Sequence, residues 1–256
     1  MFKIGTPMQS AYDRIYFDLK SDIETHVFGF KEYLPSEAEL CKRYGCAHNT
    51  VRKAIAALAS DGYVQPVHGK GVRVILQPTP FGMDAYTRFS PNVIETFQEV
   101  GKRFGFEVST KVLLMETVTV DQALAEQTGF ASGSSVVHLE RVRSFNGVPS
   151  ERETNYFRTD AVEGMTQADA ETSVYRYIED VRNVKIVTCK RYAMLQPVNE
   201  CDREFLEVGN ATHVAVVAAQ AFDGEGLLCE VSQVRWRPEV FSASSVAIRT
   251  RLNQNL

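Results

Sequence analysis

Residues 34–75, LPSEAELCKRYGCAHNTVRKAIAALASDGYVQPVHGKGVRVI, constrain this chain more than any other stretch. Leu34-Pro35 forces extended backbone and then opens a helix. Ser36 and Glu39 form an S-x-x-E box, which satisfies the orphan N–H groups of a helix start. Leu40 and Tyr44 give this helix a short apolar face, and Gly45 ends it, because glycine reaches positive φ cheaply. Asn49 or Thr50 then caps a second helix, with Val51, Ile55 and Leu58 inward, Thr50, Arg52 and Lys53 outward, and Gly62 at its close. Tyr63–Val67 and Val72–Ile75 alternate as two strands around His68-Gly69-Lys70-Gly71.

Two helices joined by a tight glycine turn make a helix-turn-helix, and the hairpin adds a wing. Such a second helix fits the DNA major groove with its N-terminal residues at base edges. Lys70 lies between two glycines, so backbone and ammonium can both approach phosphates. The expected DNA contacts are Ser36, Glu37, His48, Asn49, Thr50, Arg52 and Lys53, with His68, Gly69 and Lys70 from the wing. A small helical subdomain with an ordinary hairpin is the plainer alternative. The ordered series of cap, turn, basic helix and G-K-G wing favours DNA binding.

The run P-S-E-x-E-L, then T-V-R-K-A-I-x-x-L-x-x-x-G-Y, then G-K-G resembles the winged helix of GntR-type bacterial transcription regulators. The resemblance departs at Ala38, and at Ala47-His48-Asn49, where the family often carries arginines that contact DNA. The fold expectation survives these departures; the operator sequence is what they alter.

The 256-residue length suggests two domains. Residues 1–77 hold 10 Lys/Arg against 8 Asp/Glu, leaving 18 against 24 in the remainder. The acidic C-terminal part would resist non-specific DNA binding and leave contact to the mildly basic N-terminal part. No apolar run approaches the roughly 20 residues of a membrane helix, and no signal peptide is visible. Five scattered cysteines without C-x-x-C suggest neither a zinc site nor a disulfide framework, so a reducing cytoplasm is expected. There is no H-x-x-x-H, G-x-S-x-G or phosphate loop, and no cofactor is expected.

Residues 11–27 are an amphipathic helix, with Tyr12, Ile15, Tyr16, Leu19, Ile23 and Val27 on one face. Pro78 and Pro80 mark a linker, so the expected domains are 1–76, a linker 77–90, and 91–256. Beyond it the chain predicts helix 91–105 starting at Pro91, strand 111–120, helix 121–130 and strand 136–145. An Asn146-Gly147 turn, strand 149–157 and helix 171–181 follow. Strand 186–195, helix 200–208, strand 213–222, turn 223–224 and strand 227–236 repeat that order. Phe145-Asn146-Gly147 lies 77 residues before Phe222-Asp223-Gly224, as Glu153 lies 77 before Glu230. Two copies of strand–helix–hairpin paired edge to edge give a central antiparallel sheet with helices packed on it, an α+β domain with a cleft for a ligand.

Alternation along β-structure puts Leu139, Arg141 and Arg143 on one face, and two adjacent guanidiniums call for an anion between them. Ser173 and Tyr175 at a helix start would add N–H donors and a positive dipole end. The alternative is a solvated strand face on which the arginines pair with Glu140 or Glu151.

L-E-R-V-R, E-x-x-Y-F and S-x-Y-x-Y-I-E are similar to motifs of the UTRA effector domain of HutC-subfamily GntR regulators, which resembles the chorismate lyase fold. The resemblance implies a homodimer that binds double-stranded operator DNA and a small-molecule effector, often a sugar phosphate. It implies that Arg141, Arg143, Glu153, Ser173, Tyr175 and Trp236 hold that effector, with Thr96 a further phosphate contact. Glu153 would take sugar hydroxyls, and Trp236 a sugar face or else the core. SVYRYIE and CDREFLEV are similar to segments of trehalose-operon repressors, which makes trehalose 6-phosphate the narrower expectation. A lyase-like enzyme fused to a DNA-binding domain is the alternative function.

Overall fold

The computed structural model describes residues 10–77 and 94–247. The expected linker beyond Gln77 and the Pro91 helix start lie outside the described residues. The described chain falls into two compact units, 10–77 with 244–247, and 94–243.

In the first unit, α1 (Ala11–Glu24) starts at a Ser10–Asp13 capping box and buries Ile15, Leu19 and Ile23. It stops three residues short of the expected Val27, because His26 turns the chain at φ 62°. The expected Ser36–Glu39 box opens α2 (Glu37–Tyr44), and Gly45 closes it at φ 62°. Helix α3 (His48–Ser60) begins earlier than expected: its N-cap is Ala47, not Asn49 or Thr50, and Ala47 makes no side-chain cap bond. The Ala47 carbonyl already accepts from Thr50 N at 3.0 Å, so the helical ladder is under way before either polar residue could cap it. Strands β1 (Val64–Val67) and β2 (Gly71–Val74) pair antiparallel, with Val64 opposite Val74. Ile15, Leu19, Leu40, Val51, Leu58, Val64 and Val74 share one core. Truncating a core leucine such as Leu58 to Ala would cost about 2–5 kcal/mol.

The second unit is built on a six-stranded antiparallel sheet. Its strands are β3 (Val108–Thr119), β4 (Ser135–Phe145), β5 (Val148–Arg158), β6 (Ile186–Pro197), β7 (His213–Asp223) and β8 (Leu228–Trp236). Their order is β3-β4-β5-β8-β7-β6. The two expected strand–helix–hairpin copies therefore join edge to edge through β5 and β8. Short helices α5 (Gln122–Thr128) and α8 (Glu200–Phe205) cover one face through the Val120–Phe130–Val136 and Leu206–Val214–Val216 clusters. On that face Asp202 takes Arg235 in a bidentate buried pair at 2.7–3.1 Å.

The other face carries α4 (Phe97–Phe104) at one side and α6 (Gln167–Thr172) with α7 (Val174–Arg176) at the other. The expected helix 91–105 is shorter within the described residues, because the Thr96 hydroxyl caps Glu99 N and leaves Thr96 extended. The expected helix 171–181 is not continuous. Ser173 is extended at φ −166°, ending α6 and capping α7, after which Tyr177–Val181 widens to π-helix.

Candidate effector cavity and nucleic-acid interface

Register fixes what shares the face under α4 and α6–α7. Thr110, Arg143, Glu151 and Trp236 form one rung across β3, β4, β5 and β8. Arg141, Glu153, Val234 and Val217 form the next, then Leu139, Asn155, Ser232, Ala219 and Arg191. Side chains of alternate residues point to one face, so these rungs stack into a single patch. The patch floors a cavity of roughly 150 Å³. Thr96, Arg141, Arg143, Glu153, Ser173, Tyr175 and Trp236 all line it.

The two arginines meet their anion inside the protein. Glu153 Oε2 lies 2.6 Å from Arg141 Nη2 and 2.8 Å from Arg143 Nη2. Arg143 Nη1 also donates to Glu151 at 3.3 Å, and its guanidinium lies over the Phe97 ring at 5.0 Å. Arg141 Nη1 donates to the Ala170 carbonyl at 2.8 Å. Asn155 donates to Glu153 Oε1 at 3.1 Å and to Glu230 Oε1 at 2.6 Å, and the Tyr175 hydroxyl donates to Glu230 Oε2 at 2.5 Å. Glu140 faces the other side of the sheet and pairs with Arg152 at 3.0 Å.

Burial governs the charges here. It raises Glu153, but Arg141 and then Arg143 outweigh it and hold this carboxyl below the usual range. Glu151 has weaker compensation from Arg143, and burial pushes it up to about 7. Burial, reinforced by the Glu153 charge, raises Glu230. Burial likewise lowers Arg141 to about 10 despite Glu153. The site is a dense set of buried charges paired with one another.

Glu151, Glu230 and Arg191 line the cavity and were not among the expected site residues. The signals were present. Glu151 alternates with Glu153, and Glu230 follows Glu153 by 77 residues. The same spacing separates Thr96 from Ser173, so each copy contributes one helix start to the cavity wall.

In the helix-turn-helix, Ser36 is occupied in its capping box. Glu37 accepts from Arg52 Nε at 2.8 Å and lies 3.7 Å from His48 Nδ1. His48, Asn49, Arg52 and Lys53 are exposed along one side of α3, and Thr50 is half-buried. His68, Gly69 and Lys70 form the exposed hairpin tip, with Gly69 at φ 71° and Gly71 at φ 104°.

A winged helix-turn-helix followed by an antiparallel sheet with a polar cavity defines a DNA-binding module joined to a ligand-binding one. Residues 11–74 match the model of bacterial regulatory proteins, gntR family, and residues 104–242 match the UTRA domain. The chain belongs to the gntR family of bacterial regulatory proteins, with a UTRA domain as its second module. It is 28% identical over 227 residues to the HTH-type transcriptional regulator TreR of Bacillus subtilis, covering 89% of this chain and 92% of that one. Its fold is similar to that of YydK, a possible transcriptional regulator from Bacillus subtilis, at TM-score 0.75 and 19% identity over 93% of this chain and 99% of that one. The effector-binding domain of the B. subtilis trehalose repressor matches at TM-score 0.51 and 22% identity, over 56% of this chain and 99% of that domain. The protein is thus a transcription regulator with a DNA-binding and an effector domain, which overturns the enzyme alternative. No helix among the described residues is long and apolar enough to cross a membrane.

Proposed function

We propose that the chain represses a carbohydrate-utilisation operon and responds to a phosphorylated sugar, as a homodimer on a palindromic operator. In this reading 1–76 contacts DNA, 77–90 links, and 91–256 binds effector and dimerises. The observation that carries it is the pair Arg141 and Arg143 closed on Glu153 in the cavity wall. One carboxylate oxygen, Glu153 Oε2, bridges the two guanidiniums, in the position that a phosphate would compete for. The remaining carboxylates, Glu151 and Glu230, are acceptors suited to sugar hydroxyls.

Trehalose 6-phosphate is the narrower candidate, supported by the similarity to the B. subtilis trehalose repressor. A hexosamine phosphate is the main competitor. Either must bind two states of the protein unequally to alter DNA affinity. The dimer is supported by the edge strand β6, where Tyr192, Met194 and Leu195 are exposed.

Calorimetry with trehalose 6-phosphate, glucosamine 6-phosphate and plain trehalose tests the reading. The expected result is binding of a phosphorylated sugar only, lost in Arg143→Ala. Equal affinity for trehalose with and without phosphate, or undiminished binding by the variant, removes it.

A further inference from the structure

We propose that Cys41 and Cys46 form a dithiol switch in the turn of the helix-turn-helix, and that joining them as a disulfide lowers the affinity of the protein for DNA.

The turn places the two residues side by side. Gly45, at φ 62°, reverses the chain after α2, and the Cys46 amide donates back to the Cys41 carbonyl at 3.3 Å. This is the six-residue closure of a Schellman turn, whose end side chains frequently touch as an apolar pair. Here both positions carry a thiol. One hydrogen bond between their backbones holds the two Cα atoms within about 7 Å, the upper limit for a disulfide. Both side chains pack against the core of Ile15, Leu40 and Val51, and both are half-buried, so a small oxidant reaches them. Burial and then the charge of Cys46 push the Cys41 thiol up, as expected of two sulfurs at close range. Cys189, Cys201 and Cys229 belong to the second unit.

The pair sits where α2 hands over to the helix that carries the expected DNA contacts. Cys46 is followed directly by Ala47, the N-cap of α3, which no side-chain hydrogen bond secures. A disulfide brings its sulfurs to about 2.0 Å, against roughly 3.5–4 Å for atoms in van der Waals contact. Closing it draws Cys46 toward α2 and takes the start of α3 along. His48 and Arg52 share the partner Glu37, at 3.7 and 2.8 Å, and that arrangement shifts with it.

Hydrogen peroxide serves as the oxidant. The Cys46 thiolate attacks one peroxide oxygen, the O–O bond breaks, and a sulfenic acid and water form. Cys41 sulfur then attacks Cys46 sulfur and releases the second water. Two thiols and one peroxide give one disulfide and two waters, the sulfurs losing the two electrons that the peroxide gains. A dithiol reductant reverses the step by exchange. In a reducing compartment such a bond is transient, as a signal requires.

The experiment treats full-length protein with hydrogen peroxide. It measures affinity for a duplex selected from a random-sequence library by the reduced protein, before oxidation, after it, and after dithiothreitol. Trypsin cuts at Lys42 and Arg43, so a Cys41–Cys46 bond appears in mass spectra as two linked peptides. The expected result is that linked pair, a fall in DNA affinity of about tenfold or more, and full recovery on reduction. Cys41→Ala and Cys46→Ala should keep their affinity through peroxide treatment. Unlinked peptides after oxidation overturn the proposal, as does unchanged affinity of the linked protein. The same loss in Cys46→Ala also overturns it. Because the re-reduced wild type is its own control, the test holds even if a variant fails to fold.

Discussion

Asn155 and Ser232 stand opposite each other across the β5–β8 ladder and are 77 residues apart in sequence. That is the spacing of the internal repeat, so each copy presents the same position to the other at a local two-fold axis. The symmetry brings Glu153 and Glu230 to either side of Asn155, whose amide donates to both. The second unit is therefore one repeat paired with itself, and its polar centre lies on the seam.

The seam should be sensitive to charge at Asn155. Asn155→Ala leaves two buried carboxylates short of a donor, at about 1–3 kcal/mol for the unmade bonds. Asn155→Asp also adds a third negative group and should lose more than the alanine variant at pH 8. Lowering the pH to 5 protonates the introduced carboxyl and narrows the gap. Urea unfolding of both variants at the two pH values measures this, and a constant gap would contradict it.

Glu151 should make stability fall as pH rises. Its carboxyl is raised from 4.5 to about 7 by burial, against the pull of Arg143 and Arg141 and with repulsion from Glu153. A carboxyl with a raised folded value keeps its proton longer in the folded state. The folded state therefore binds more protons than the unfolded one between about 4.5 and 7, and stability drops across that window. Glu151→Gln does not titrate. Its Tm relative to wild type should rise between pH 5 and pH 8, by an amount on the order of 2–3 kcal/mol in stability. A flat difference in thermal scans would refute the assignment.

Arg52 and Lys70 should separate in their effects on DNA. Arg52 is exposed on α3, where its Nε donates to Glu37 at 2.8 Å. Arg52→Ala should weaken operator binding by about 1–3 kcal/mol and relax sequence preference. Lys70→Ala at the wing tip should weaken binding on all sequences and lower the slope of log K against log salt by about 1. Titrations at several salt concentrations distinguish the two patterns.

The edge strand β6 should carry the proposed dimer. Leu195 is 73% exposed there, with Tyr192 and Met194 also open to solvent. Leu195→Glu places a charge on the edge and should shift the protein to monomer in sedimentation at micromolar concentration. It should leave effector binding intact, because Leu195 does not line the cavity. An unchanged dimer would place the interface elsewhere.

The N-terminal unit was legible in the chain because its signals are local. Capping box, glycine turn, apolar spacing and wing glycines each act within a few residues, and their order alone specifies a winged helix-turn-helix. The error at the start of α3 is also local: Ala47 caps without a side chain, so polar Asn49 and Thr50 misled. In the second unit the 77-residue repeat and strand alternation determined the sheet and placed Arg141, Arg143 and Glu153 on one face. What pairs with what was decided only by tertiary structure. Sequence alternation cannot say that Glu153 would close both guanidiniums, that Asn155 would sit on the two-fold seam, or that Trp236 would end opposite Glu151. Those contacts depend on the β5–β8 register, which joins strands separated by some eighty residues and is set by packing across the whole sheet.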